Sequence, residues 1–178
     1  MSIPDFMVVI MKSSNMFACG VNSKRTQFAL LAALVMSVSG AVHAAEGRIT
    51  KSAAPNAVLV LSNSNTMPGT GFVIFSVLNS DFPSSTALDP KQLVDIQWSA
   101  TYYPDSIGEI VELCYQRTFS SPEDCRRIRP NSSGTLLDFS GEFIGYVSRV
   151  KIYHRVLGGT PRYTRPAGVD SVVLRYKY

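Results

Sequence analysis

The sequence predicts an all-β fold, a small antiparallel β-sandwich or barrel with one disulfide. Short runs of apolar and β-branched residues recur, and groups of Gly, Pro, Asn, Asp and Ser separate them. Such spacing is typical of antiparallel sandwiches. No long stretch shows the 3.6-residue apolar repeat of an amphipathic helix. The two cysteines that follow the N-terminal region suit a disulfide-linked exported domain.

Each strand is predicted from its own run of residues. Strands are expected at residues 57–61, 72–78, 94–103, 109–116, 147–157 and 169–178. A turn at residues 67–71 separates the first two, which are therefore expected to form a hairpin. Residues 130–134 read as a turn, and residues 158–168 as a long loop before the terminal strand.

The N-terminal residues have the three parts of a secretory signal. Lys24 and Arg25 precede an apolar run at residues 28–36, and Val42 and Ala44 supply small residues at positions −3 and −1 of a cleavage site. We expect residues 1–44 to be a signal peptide, with Met11 or Met16 as alternative true starts. No later run reaches the roughly 18 apolar residues of a transmembrane helix. The prediction is an exported protein, periplasmic or extracellular.

The remaining 134 residues suffice for one domain. Residues 45–56 are small, polar and charged, and we expect a flexible N-terminal arm before a single domain at residues 57–178. Charge is distributed unevenly. Residues 45–116 hold 3 basic and 7 acidic side chains, whereas residues 117–178 hold 11 basic and 5 acidic ones. This uneven distribution of charge is informative about binding partners rather than about the fold.

Cys114 and Cys125 are predicted to form the disulfide, since Cys19 lies within the predicted leader. Two reduced, buried thiols are the alternative. A metal site is not expected, because two Cys and one His do not make a usual set of four ligands.

The sequence does not support catalysis, and no cofactor is expected. It lacks the nucleophile elbow, the zinc-binding helix motif and the glycine-rich phosphate loops. His154 is the single histidine outside the leader, and it alternates in phase with Val150, Ile152 and Val156. That phase indicates a hydrogen-bonded, partly buried side chain rather than a base. Glu109 and Glu112 differ by three positions in one strand and should point to opposite faces.

The positive feature is a basic and aromatic face. Residues of the His154 strand alternate to the side opposite His154, and those of the terminal strand join them if the two strands pair. The candidate ligand-binding residues are Arg149, Lys151, Tyr153, Arg155, Arg162, Tyr163, Arg165, Arg175 and Lys177. Arginine binds carboxylate, sulfate and phosphate through two donors, and tyrosine rings stack on sugars. The alternative is a charged strand edge that only keeps the sheet soluble.

The sequence therefore favours a non-enzymatic binding domain that recognises an anionic glycan, a lipid head group or a protein. Nucleic acid is not an expected partner, given a net charge of only +2 over residues 45–178. A second hypothesis is a structural subunit of a surface assembly, formed by strand addition through the N-terminal arm. In its leader, single disulfide and aromatic last strand the chain resembles chaperone–usher pilus subunits. It departs from them in two ways: Lys177 replaces their penultimate aromatic residue, and the disulfide lies mid-chain rather than near the start. A hydrolase is the third and weakest hypothesis.

Overall fold

The computed structural model describes residues 45–60, 67–120, 122–158 and 162–178. The predicted signal peptide lies outside these ranges. Strands account for the regular structure of the described residues, together with two short 3-10 turns at Asn79–Asp81 and Ser84–Thr86. Among those residues no helix has the length and apolarity needed to cross a bilayer.

Two antiparallel sheets and a short two-stranded sheet form the fold. Sheet I has the order β1 (Glu46–Ala53), β11 (Asp170–Lys177), β4 (Lys91–Ala100) and β7 (Ser132–Leu136), with β8 (Phe143–Ile144) also paired to β4. Sheet II has the order β3 (Gly69–Ser76), β9 (Arg149–Leu157), β5 (Gly108–Gln116) and β6 (Asp124–Ile128). The short sheet pairs β2 (Val58–Val60) with β10 (Arg162–Thr164).

The main hydrophobic core lies between sheets I and II. Strand alternation sends every second side chain inward. Ile96, Val172 and Leu174 from sheet I meet Val111 and Ile152 from sheet II, and all five are fully buried. A smaller cluster of Val58, Val60, Tyr103 and Val156 lies beside the short sheet. The predicted all-β sandwich is confirmed.

The disulfide is confirmed as well. Cys114 of β5 and Cys125 of β6 are directly opposite each other in the strand register and are bonded. The loop between β5 and β6 is thus closed both by backbone pairing and by a covalent bond. Cys114 is buried, while Cys125 is exposed at the edge strand.

The structure of the N-terminal segment differs from the predicted flexible arm. Residues 46–53 form strand β1 and pair with β11 along their whole length, instead of forming a flexible arm. Only Ile49 is buried in this strand. Backbone hydrogen bonds at a sheet edge hold β1 in place, so a small and polar composition does not prevent strand formation.

One predicted pairing is also wrong, and a second pairing, on which the extended basic face depended, does not form. The strands at residues 57–61 and 72–78 do not form a hairpin, because β2 pairs with β10 and β3 pairs with β9. The His154 strand and the terminal strand do not pair either: β9 belongs to sheet II and β11 to sheet I. The connection between them contains β10 and is long enough to cross from one sheet to the other, which a tight hairpin turn could not do.

The predicted turn at residues 130–134 is shorter than expected. Asn131 adopts a positive φ of 48°, which reverses the chain within Pro130 and Asn131. Strand β7 then begins at Ser132 and continues through Gly134, where the ring of Trp98 lies against the glycine. The absence of a side chain there makes room for the tryptophan.

Candidate functional site

The burial of β9 follows the predicted alternation. Val150, Ile152, His154 and Val156 are buried, while Arg149 and Arg155 are exposed and Lys151 and Tyr153 are partly exposed. The predicted basic face of this strand therefore points away from the core. It forms the centre of a larger surface, which we call the outer face of sheet II.

Neighbouring strands complete the outer face of sheet II. The members are Thr70, Phe72 and Ile74 of β3; Arg149, Lys151, Tyr153 and Arg155 of β9; Glu112 and Cys114 of β5; and Cys125 and Arg127 of β6. Phe72 and Tyr153 are direct partners in the register, and their ring centroids lie 6.2 Å apart. Phe72 is 44% exposed, so this aromatic pair presents its surface to solvent.

Acidic side chains neutralise part of the positive charge on this face. Lys151 forms an ion pair with Glu123, which also accepts a hydrogen bond from the Tyr153 hydroxyl at 3.3 Å. Arg155 lies 2.9 Å from the Glu112 carboxylate. Within the described part of the chain, Arg149 contacts no carboxylate. The net charge of the face is thus smaller than the sequence pattern suggests.

An open groove of about 550 Å³ runs along the face beside the disulfide. Its lining includes Pro68, Thr70, Glu112, Glu123, Tyr153 and Arg155. The groove offers an aromatic ring, a guanidinium and two carboxylates to a ligand. The sulfurs of Cys114 and Cys125 and the Glu123 carboxylate lie within 4.8 Å of one another. The sulfurs are bonded to each other, however, and cannot both bind an ion as thiolates.

The other predicted ligand residues lie elsewhere. Arg175 is in sheet I, where it contacts Asp95 at 2.8 Å and Glu46 at 3.1 Å. Lys177 is on the same strand, β11. Arg162 and Tyr163 belong to β10, and Arg162 lies 3.3 Å from Asp105. Arg165 is exposed just after β10. The nine candidates therefore do not share one surface, because β9 and β11 are in different sheets.

A second cluster, inside the molecule, surrounds His154. Its Nδ1 lies 2.5 Å from Glu109 Oε1, and its Nε2 lies 2.8 Å from Asp170 Oδ2. The remaining carboxylate oxygens accept backbone N–H groups, from Tyr103 to Glu109 at 3.1 Å and from Thr101 to Asp170 at 2.8 Å. Each buried charge thus has hydrogen-bonding partners, as burial requires.

Burial of the His154 imidazole opposes its charged form, but the hydrogen bonds that it donates to Asp170 and Glu109 outweigh this effect and raise its pKa to about 9. Tyr103 covers the cluster. Its ring packs edge-on against the imidazole with centroids 5.6 Å apart, and its hydroxyl donates to the Asn56 carbonyl at 2.5 Å. Burial, together with Glu109 and Asp170, raises the pKa of Tyr103 above its usual range.

This arrangement does not suit general-base catalysis. Both imidazole nitrogens are already engaged, and the side chain is 0% exposed. The sequence correctly indicated a hydrogen-bonded histidine on the apolar face of its strand, but it predicted only partial burial and missed Asp170. The strand alternation could have indicated this cluster. Asp170 is in phase with the buried Val172, Leu174 and Tyr176 of its strand. Glu109 is likewise in phase with the buried Val111 and Leu113. Charged residues on the apolar face of three strands mark a buried polar cluster.

Comparisons with known proteins give one finding about the fold. No protein-family model matches the chain, and no curated protein sequence does. A solved crystal structure of FLHE is similar over 76% of this chain and 100% of that one, with a TM-score of 0.52 and 17% sequence identity. At this level of identity the likeness shows that the two chains share a fold.

Proposed function

We propose that this protein is an exported, non-enzymatic binding domain that recognises an anionic glycan through the outer face of sheet II. The leader-like residues 1–44 and the Cys114–Cys125 disulfide support export, since disulfides persist in oxidising compartments. The engaged and buried His154 supports a non-catalytic role.

The observation that carries the proposal is the position of the Phe72–Tyr153 pair. The two rings lie on an exposed sheet surface, with Arg149 and Arg155 on the same strand as Tyr153. A sugar ring can stack on such aromatic side chains while arginine binds its carboxylate or sulfate. The ion pairs of Arg155 with Glu112 and of Lys151 with Glu123 are partly exposed, so a ligand anion can compete for these cations at small cost.

The test is binding to an array of neutral, carboxylated and sulfated glycans. The wild type should bind anionic glycans, and more weakly as salt rises. A triple variant, Arg149→Gln, Lys151→Gln and Arg155→Gln, should lose this binding while keeping its melting temperature. The matched control is Arg48→Gln, Arg165→Gln and Lys177→Gln, which removes the same charge from other exposed positions. Equal loss of binding in both variants, or none in the first, would contradict the proposal.

A structural subunit that donates its N-terminal arm has less support. The arm is strand β1, already paired with β11, and β11 itself lies between β1 and β4. Neither terminal segment of the described chain is available as a donor strand. The hydrolase hypothesis lacks a free base at His154.

A further inference from the structure

Strand β3 forms an edge of sheet II. Among the residues that the structure describes, it pairs with β9 alone, on one side. Its side chains alternate, with Val73 and Phe75 buried, whereas Phe72 and Ile74 are each 44% exposed. A long edge strand with exposed apolar side chains is uncommon, because unpaired backbone groups invite pairing with another chain.

The hydrogen bonds show which residues of β3 face the open side. The Val77 N–H, just after the strand, donates to the Ser148 carbonyl at 2.9 Å, so the backbone of Val77 points toward β9. Alternate residues of an antiparallel strand bond to the same neighbour. Val73 and Phe75 therefore bond to β9, and Phe72, Ile74 and Ser76 face away from it. In agreement, the Phe72 N–H is directed away from β9 and donates to Asn56 Oδ1 at 3.0 Å.

Side chains cap the edge on both sides of Ile74. Asn56 occupies the Phe72 N–H, and Asp81 Oδ2 accepts the Leu78 N–H at 2.7 Å. Between these caps, the Phe72 carbonyl, both backbone groups of Ile74 and the Ser76 N–H have no hydrogen-bond partner among the described residues. The caps thus limit strand pairing to a short segment centred on Ile74.

The unpaired backbone groups of β3 can form hydrogen bonds with the same groups of a second copy. We propose that β3 pairs antiparallel with β3 of a second copy of this chain, with Ile74 on the two-fold axis. In that register the two Ile74 residues exchange both of their hydrogen bonds, and the Ser76 N–H of each copy donates to the Phe72 carbonyl of the other. All four unpaired groups are used, and the Phe72 N–H, which would otherwise donate to the Ser76 carbonyl, is the one that Asn56 already caps.

The side chains and charges around β3 also favour a second copy of this chain as its partner. Phe72 lies diagonal to Ile74 of the second copy on one face of the new ladder, close enough for apolar contact. The cations of the neighbouring strand β9, Arg149 and Lys151, are one strand further in, so those of the two copies are separated by about 14 Å, three strand spacings. That exceeds the screening length of about 8 Å at physiological salt. A two-fold contact uses the same edge of both copies and therefore closes at a dimer.

The dimer joins two four-stranded sheets into one sheet and places both outer faces side by side. It does not depend on the proposed glycan. Ile74→Pro is the informative variant, because it removes an N–H that points away from β9, and proline is tolerated on the open side of an edge strand. Ile74→Val is the matched control, since it keeps both the N–H and an apolar, β-branched side chain.

Sedimentation velocity of the purified chain over a concentration series tests the proposal. The wild type and Ile74→Val should form dimers, and Ile74→Pro should weaken dimerisation roughly tenfold or more, because two hydrogen bonds are lost per dimer. Amide exchange of the wild type, followed by NMR, gives a second measurement that needs no variant. Protection at Ile74 and Ser76 should increase with protein concentration, whereas protection at Val73 and Phe75 should not change. A wild type that stays monomeric, an Ile74→Pro dimer of unchanged affinity, or concentration-independent exchange at Ile74 would overturn it.

Discussion

The His154 imidazole and the Asp170 carboxylate join the two sheets inside the protein. His154 is in β9 of sheet II and Asp170 begins β11 of sheet I, with Nε2 and Oδ2 2.8 Å apart and both side chains fully buried. Asp170 also accepts the Thr101 N–H, which follows β4. The Asp170 carboxylate therefore connects β9 of sheet II with the end of β4 in sheet I. The stability of the domain should depend on the charge of this pair.

Stability should fall as the pH rises above neutrality. The pKa of His154 is about 9 in the folded protein and 6.5 in the unfolded chain. Below pH 6.5 both states hold the proton and the contribution is complete. Between pH 6.5 and 9 the unfolded state releases it first, so a contribution on the order of 3 kcal/mol is lost. Urea unfolding at pH 6, 7.5 and 9 measures this loss. His154→Gln should be less stable at pH 6 and nearly insensitive over the same interval, and an equally steep loss in that variant would contradict the assignment to His154.

Asp170→Asn should destabilise the domain by about 3 kcal/mol at pH 6, because breaking one side of a buried ion pair leaves the other charge poorly compensated. The exposed Asp138, which pairs with Arg126, provides the control. Asp138→Asn should leave the unfolding free energy nearly unchanged, because exposed ion pairs contribute little to stability. Similar effects of the two substitutions would show that the buried pair has no special role.

Gly71→Ala should cost about 1–3 kcal/mol through overpacking. A Cβ at Gly71 would lie 2.0 Å from the Tyr103 hydroxyl, and Tyr103 cannot easily move because it is buried and bonded to Asn56. Gly108→Ala is the control, since the nearest atom there, on Leu157, is 3.7 Å away. Thermal unfolding of both variants should separate them, and a Gly71→Ala protein as stable as Gly108→Ala would show that the Tyr103 site is loosely packed.

Removal of the disulfide should lower the unfolding free energy by roughly 2–3 kcal/mol, since the bridge closes a loop of ten intervening residues. The double variant Cys114→Ser and Cys125→Ser and the chemically reduced wild type should lose the same amount in urea unfolding. A double variant as stable as the oxidised wild type would mean that the β5–β6 pairing alone suffices.

The two faces of β9 should respond differently to substitution. Ile152→Asp places an unpaired charge in the core, where Ile152 is 0% exposed, and should prevent folding. The neighbouring Lys151→Gln affects only a partly exposed ion pair and should change stability by less than about 1 kcal/mol. Circular dichroism of the two purified proteins distinguishes these outcomes. A folded Ile152→Asp protein would contradict the assignment of the inner face.

Much of this structure could be predicted from local sequence patterns. The period-two alternation in β9 and β11 determines which side chains face the core, because successive strand residues point to opposite sides. The same rule separated Glu109, which reaches His154, from Glu112, which reaches Arg155. The cysteine count and the leader-like segment were enough to predict the bridge between Cys114 and Cys125.

The pairing of strands depended on the tertiary structure. Alternation is a property of one strand, whereas the choice of neighbour depends on where each loop takes the chain and on which apolar faces it buries together. For this reason the sequence alone could not place β1 on β11, nor separate the Arg149 strand from the Arg175 strand. It also could not reveal the Glu109–His154–Asp170 cluster, since residues from β5, β9 and β11 meet only when the two sheets pack. The sequence by itself determined which faces are buried, and the packing of the sheets determined which charges meet.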